Sequence, residues 1–365
     1  MREEISQVQV QLGERAYQII IGYDILSTCL TQLQGFSGSG KVMLISDENV
    51  YALYGHKLES YLSQAGYQVC RFVVLPGEET KSWEQAGIIL EEMLDQNLER
   101  QTPLLALGGG VVGDLAGFVA ALYRRGMPLF QLPTTLLAQV DSSIGGKVAV
   151  NHPKGKNMFG TFYQPAGVWA DLTSLSSLDD QEWAAGLAEV AKYAVIRDQD
   201  FFNYLEQYSG GIFNKDRRYL PTVIEKCCQI KADIVSRDER DEGLRNILNF
   251  GHTYGHALES ATNYQEYRHG EAVAIGMAAV LELAFLLKLI SIEERDRVIS
   301  LLESWHLPTC FAGNLLDEVL NNLSYDKKVQ GRKITFILPL KIGEVQMRSD
   351  IPQDLLRLAL SKRCI

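Results

Sequence analysis

The sequence predicts an α/β protein in two parts: a doubly wound, Rossmann-like parallel-sheet domain over residues 1–178 and a mainly α-helical domain over residues 179–365. Three observations carry this. Up to about residue 178 short β-rich apolar runs alternate with helical stretches, the pattern of a parallel sheet with crossover helices, and beyond it the pattern is mostly helical. The run Gly108-Gly109-Gly110-Val111-Val112-Gly113 sits at a predicted strand-to-helix turn. A length of 365 residues also exceeds the usual single core.

Taken in order, residues 17–21, 42–46, 69–75, 104–107 and 129–132 read as strands, and 51–65, 82–97 and 112–124 as helices. Ligands of such a sheet sit at the carboxyl ends of its strands. In the second half, 180–196, 219–237, 244–261, 270–288, 293–304 and 352–362 read as helices, and 333–338 with 344–348 as a small hairpin. No repeat, linker or low-complexity segment separates the halves, so they are expected to pack together with a cleft between them as the default site.

Composition narrows the function classes. Hydrophobic residues at 46% and charged residues at 22% describe an ordinary globular protein. A net charge of -10 offers no general attraction for nucleic acid or an anionic membrane, so neither is expected as a partner, and an anionic ligand needs a local basic pocket. The start lacks the apolar core of a signal peptide, and no run is expected to reach a membrane span, which predicts a cytoplasmic protein. The six cysteines show no CxxC spacing and are too sparse for a disulfide framework.

The glycine run fits G-x-G-x-x-G, where missing side chains let the backbone approach a pyrophosphate and the helix start offers free N–H groups. A second run, Gly35 to Lys41, looks like a P-loop but ends in Val42 instead of Ser or Thr and precedes a strand, so it is rejected. Further on, Arg245, Asn249, His252 and His256 fall at helical offsets within a sector of roughly 60° at ~100° per residue, so one continuous helix would carry all four on one stripe. His269 lies close by, placing half of the six histidines in eighteen positions. His252 and His256, at i, i+4, could both be metal ligands.

The motifs Gly113-Asp114-Leu115-Ala116-Gly117-Phe118 and Leu132-Pro133-Thr134-Thr135 through Asp141-Ser142-Ser143-Ile144-Gly145-Gly146-Lys147 closely resemble the 3-dehydroquinate synthase family of the shikimate pathway. Lys154-Gly155-Lys156-Asn157, Gly186 to Lys192, the His252/His256 segment, His269-Gly270-Glu271 and Asp326-Lys327-Lys328 continue the resemblance in order over nearly the whole chain. It implies an NAD-binding first domain, a metal-binding second domain, a homodimer, and a substrate, 3-deoxy-D-arabino-heptulosonate 7-phosphate, that bears both carboxylate and phosphate. The activity implied is phosphate elimination with no net redox change, a carbon-oxygen lyase.

By the same resemblance, Glu189, His252 and His269 are the metal ligands, and one carboxylate with two imidazoles suits zinc or cobalt. Asp47, Asn49, Gly77, Glu78, Lys81, Gly108, Gly109, Gly110, Asp114, Thr134, Thr135, Lys147, Lys156, Ser174 and Ser177 are assigned to NAD. Carboxylates suit ribose hydroxyls and repel a 2′-phosphate, which favours NAD over NADP. Asp141, Lys147, Asn157, Lys192, Lys231, Arg245, Asn249, His256 and one of Lys327 or Lys328 are assigned to substrate, with Arg125 reaching the partner subunit's site. One departure stands out: Asp241, with Glu242 beside it, replaces the glutamate usual four residues before Arg245. The alternatives are a related sugar phosphate cyclase acting on another heptulose or hexose phosphate, a metal-dependent polyol dehydrogenase, and a non-catalytic NAD-binding regulator.

Overall fold

The computed structural model describes residues 5–36, 38–330 and 334–365, with residues 324–330 described as backbone alone. The chain forms two compact units, residues 1–178 with 231–240 and residues 179–230 with 241–365. Residues 231–240 thus group with the first unit although 231–237 are the last part of the Leu220–Arg237 helix.

The first unit is built on strands β1 (Ser6–Val10), β2 (Tyr17–Gly22), β3 (Lys41–Asp47), β4 (Gln68–Val74), β5 (Leu104–Gly108) and β6 (Leu129–Pro133). Strands β7 (Lys147–His152), β8 (Gly155–Phe162) and β9 (Gly167–Asp171) follow. Seven of them make one sheet in the order β1-β2-β9-β6-β5-β3-β4. Its neighbours are parallel except β1 and β2, which are antiparallel. Successive side chains of a strand point to opposite faces. Met43, Ile45, Leu104 and Ala106 accordingly join one apolar core, while Val42, Leu44, Leu105 and Leu107 join the other. Both faces being covered is what makes these strands unbroken apolar runs rather than alternating ones.

After β3 the chain adds β4 on one side and β5 on the other, so its direction of winding reverses between β3 and β5. A sheet of this class binds ligands outside the carboxyl ends of strands at that switch point. Asp47 ends β3 and Gly108 ends β5, so the topology itself puts two of the residues assigned to NAD there.

Four strands lie outside the sequence expectation. β1 is short and glutamine-rich, β9 begins at glycine, and the β7–β8 hairpin has an outer strand exposed along almost its whole length, so no burial rhythm marks it. The expected helix over 51–65 runs from Glu48 to Gln64 with a wider π turn at Tyr51–Gly55. That over 112–124 starts earlier, at Gly110, and ends at Leu122.

The second unit is helical, with one hairpin of β10 (Phe336–Lys341) and β11 (Glu344–Arg348). The expected strand over 333–338 therefore begins later, and residue 333 lies outside the described residues. Helices Gln199–Gln207, Ser209–Phe213 and Leu316–Gln330 were not expected. Counter to the expectation for membrane spans, helix His269–Leu286 is long and apolar enough to qualify by length and composition. Because 78% of that stretch is buried inside the protein, it is a core helix, apolar all round since it is packed all round.

Candidate active site

The second unit assembles the metal-type cluster. Glu189 lies in helix Asp180–Arg197, which Asp179 caps by accepting from the amides of Gln181 and Glu182. His252 opens helix His252–Ala261 and His269 opens helix His269–Leu286. Glycines let these backbones touch: a Cβ on Gly276 would stand 2.0 Å from the Gly251 carbonyl oxygen, and one on Gly270 2.0 Å from that of Ala185. No side chain fits at either place without moving main chain.

The expected helix over 244–261 is broken. Leu244–Asn249 is a 3-10 turn, Phe250 is extended, and Gly251 takes φ 81 before the α-helix begins. The left-handed residue is glycine because a Cβ suffers there, both from its own backbone and from Met277 at 2.5 Å. The four-residue stripe therefore reduces to His252 and His256 on one face, with Arg245 and Asn249 on the preceding segment. Arg245 is buried and Asn249 exposed.

One oxygen or nitrogen from each of Glu189, His252 and His269 lies within 4.8 Å of the others. Both imidazole Nε2 atoms point at Glu189 Oε1 from 3.6 Å, beyond hydrogen-bond reach. Glu189 is fully buried, its carboxylate oxygens accept no hydrogen bond from the described residues, and Lys192 is ion-paired with it. Burial opposes its charge, yet Lys192, His252 and His269 together hold the carboxyl well below its usual range. Burial depresses His252, keeping its ring neutral. His269 is pulled down by burial, but contacts with Glu189 and Glu259 raise it to about 9, so a proton must leave before that ring can bind an ion. His256, exposed, lies with ring centroids 5.3 Å from His252 and 6.0 Å from His269.

All of the residues assigned to NAD lie in the first unit. The Gly108–Gly110 turn leads into helix Gly110–Leu122, where a Cβ at Gly108 would stand 2.6 Å from Val112 and one at Gly109 3.0 Å from Thr135, so the turn has little room for side chains. Thr134 hangs its amide on Gly108, while its buried hydroxyl has no partner among the described residues. Beside it lies a cavity of about 180 Å³ lined by Leu53, Tyr54, Leu107, Leu132, Thr134 and Ser174 among others. Tyr54 and Ser177 share a 2.7 Å hydrogen bond at its edge. Asp47 accepts from the Val50 amide, Asn49 is exposed, Gly77 takes φ 114, and Glu78 accepts from Asn151 at 2.7 Å. Thr135 accepts from the Ala138 amide.

Two buried lysines organise the remainder. Lys81 pairs with Asp114 and donates to Asn157 at 2.6 Å, and burial raises the Asp114 carboxyl against the pull of Lys81. Lys231 pairs with the Asp141 carboxylate and donates to its carbonyl at 2.7 Å. Lys147 and Lys156 are exposed at the β7–β8 hairpin, and Arg125 is exposed with φ 65. Lys327 and Lys328 lie outside the described side chains.

Profiles of two family domains match this chain, 3-dehydroquinate synthase N-terminal over residues 71–185 and 3-dehydroquinate synthase C-terminal over 186–329. The chain belongs to the 3-dehydroquinate synthase family. A 3-dehydroquinate synthase of Desulforamulus reducens is 45% identical over 350 residues, 96% of this chain and 98% of that protein. Among solved structures, 2-epi-5-epi-valiolone synthase from Streptomyces hygroscopicus, with NAD+ and Zn2+ bound, superposes with TM-score 0.87 at 28% identity. It covers 95% of this chain and 96% of its own. A 2-deoxy-scyllo-inosose synthase, complexed with carbaglucose-6-phosphate, NAD+ and Co2+, matches with TM-score 0.87 at 26% identity over 98% of this chain and all of its own.

Some residues of this 3-dehydroquinate synthase fold escaped the sequence reading. Tyr54 and Lys57 line the cavity, and their signal is weak because they sit on an otherwise ordinary helical stretch. Glu259 is buried with Oε1 at 3.5 Å from His269 Nδ1. Its signal was available, since it follows His252 by seven residues and His256 by three, on the same helical face.

Proposed function

We propose that this chain is a 3-dehydroquinate synthase, converting 3-deoxy-D-arabino-heptulosonate 7-phosphate to 3-dehydroquinate and phosphate in aromatic biosynthesis, in the cytoplasm and as a homodimer. Residues 1–178 bind NAD, and residues 179–365 hold one zinc or cobalt ion and much of the substrate. The observation that carries this is the Glu189, His252 and His269 cluster in a chain whose relatives bear that name. Donors tetrahedrally bound to one ion at about 2.0–2.1 Å stand roughly 3.3 Å apart. The 3.6 Å gaps around an unbonded Glu189 oxygen fit such an ion, and the nitrogen-and-oxygen set suits zinc or cobalt. For NAD, the orphaned Thr134 hydroxyl, the bare glycine turn and the cavity beside them make the corresponding fit.

An ion held by Glu189, His252 and His269 would supply Lewis-acid activation of a substrate hydroxyl, and NAD held by the first unit would supply reversible hydride acceptance, so that phosphate elimination would need no net oxidant. The chain's own residues do the rest. Lys192 keeps Glu189 ionised at neutral pH. Arg245, Lys192, Lys231, Lys147 and one of Lys327 or Lys328 hold the carboxylate and phosphate, with Asn157, Asn249 and His256 binding hydroxyls or moving protons. Asp141 holds Lys231 in place. Arg125 serves the partner subunit's site.

The test is substrate choice. Against a heptulose phosphate of equal length without the carboxylate, the heptulosonate phosphate should be preferred at least about a hundredfold in kcat/KM, because a site built to pair an anion rejects its absence strongly. Equal or reversed preference identifies a different sugar phosphate cyclase.

A further inference from the structure

We propose that Glu259 is a positioning residue for the metal site, accepting the Nδ1 proton of His269 and so fixing that ring with Nε2 turned toward Glu189 and His252. The inference rests on the metal reading above. A neutral imidazole has one donor and one acceptor nitrogen, so an ion on one side calls for a proton acceptor on the other. His269 faces a carboxylate on each side: Glu189 lies 3.6 Å from Nε2, and Glu259 lies 3.5 Å from Nδ1, at the outer edge of hydrogen-bond reach. His252 meets the same need differently, with Nδ1 3.1 Å from the Phe250 carbonyl oxygen just before the Gly251 turn. One ring is therefore tied by a neutral, fixed backbone group and the other by a buried charge.

That difference has a chemical consequence. A carboxylate behind an imidazole raises its basicity and adds negative charge near the ion, which a carbonyl does not. Glu259 is only 4% exposed, and a carboxylate stays charged at such a depth only when paired. It stands on the face of the His252–Ala261 helix that carries both histidines, so the element that supplies one ligand orients another. His256, Glu259 and His269 could also form a three-donor group, with atoms within 4.8 Å of one another. In that arrangement His269 would have to give both nitrogens to ions and lose its last proton, and His256 is exposed, so the positioning role is the better account.

The experiment uses the full-length chain, stripped of metal and titrated with zinc against a chelator, and separately loaded with cobalt for its visible spectrum. Glu259→Gln keeps the shape and removes the charge; Glu259→Leu removes the acceptor as well. Zinc Kd should rise about tenfold in the first and about a hundredfold in the second, with shifted cobalt bands in both. The metal-free melting temperature of Glu259→Gln should stay within about 3 °C of wild type, which separates positioning from a loss of fold. Wild-type Kd and wild-type bands in Glu259→Gln overturn the proposal, as do two ions per wild-type chain falling to one in that variant. If the leucine variant does not fold, the glutamine variant alone decides. Failure of the wild type to bind zinc or cobalt removes the metal reading itself, a result distinct from equal binding by wild type and variant.

Discussion

His269→Ala is expected to reduce phosphate release to background and to strip the ion, while leaving the fold intact. Loss of an outer-shell partner alone costs about 10–100-fold in metal affinity, and loss of a ligand costs more. The fold should survive because His269 opens its helix with a partly exposed side chain, so truncation leaves no deep cavity. Its removal also leaves Glu259 without its imidazole contact, a local cost that the metal-free protein shares. Metal content by elemental analysis, phosphate release and thermal unfolding of the metal-free forms check the three parts. Full occupancy and normal turnover in the variant would remove His269 from the ligand set.

Arg245→Lys should lower kcat/KM for the heptulosonate phosphate roughly ten- to a hundredfold, with NAD affinity and metal content little changed. Arg245 is 3% exposed, on the 3-10 segment just ahead of the Gly251 turn. A charged hydrogen bond lost in such a place costs about 1.5–3 kcal/mol, each ~1.4 kcal/mol being a factor of ten. Lysine keeps the charge but not the planar fork that matches a carboxylate. The comparison that assigns the role uses an analogue lacking the carboxylate. A penalty there equal to that on the true substrate means that Arg245 does not read the carboxylate.

What could be read from the sequence follows from what each signal depends on. β3 and β5 are legible because burial on both faces leaves unbroken apolar runs, Val42 to Ile45 and Leu104 to Leu107. β8 is not, since seven of its eight residues are exposed and its place is fixed by pairing with β7 rather than by burial. The glycine turn after β5 was legible as a bare strand-to-helix corner, and the structure shows why the bareness is needed. The Gly251 break is not legible for a related reason: residues 244–261 read as one helix, whereas the left-handed backbone of Gly251 and its contact with Gly276 depend on a helix that comes later in the chain. His252, His256 and His269 stand out by their clustering alone, and the resemblance is what separates His252 and His269 as ligands; helical periodicity across the break cannot supply the true geometry. Glu259 stands at i, i+3 and i, i+7 from the two histidines of its helix, but a helical glutamate is ordinary until the fold buries it beside His269.

Following phosphate and NADH together during turnover of 3-deoxy-D-arabino-heptulosonate 7-phosphate, with NAD and zinc or cobalt present, tests the central claim most directly. The account predicts one phosphate and one 3-dehydroquinate per substrate consumed, an absolute need for NAD, and no accumulation of NADH over many turnovers. One NADH formed per substrate, or substrate consumed without phosphate release, would contradict it and make the chain a dehydrogenase on a cyclase scaffold.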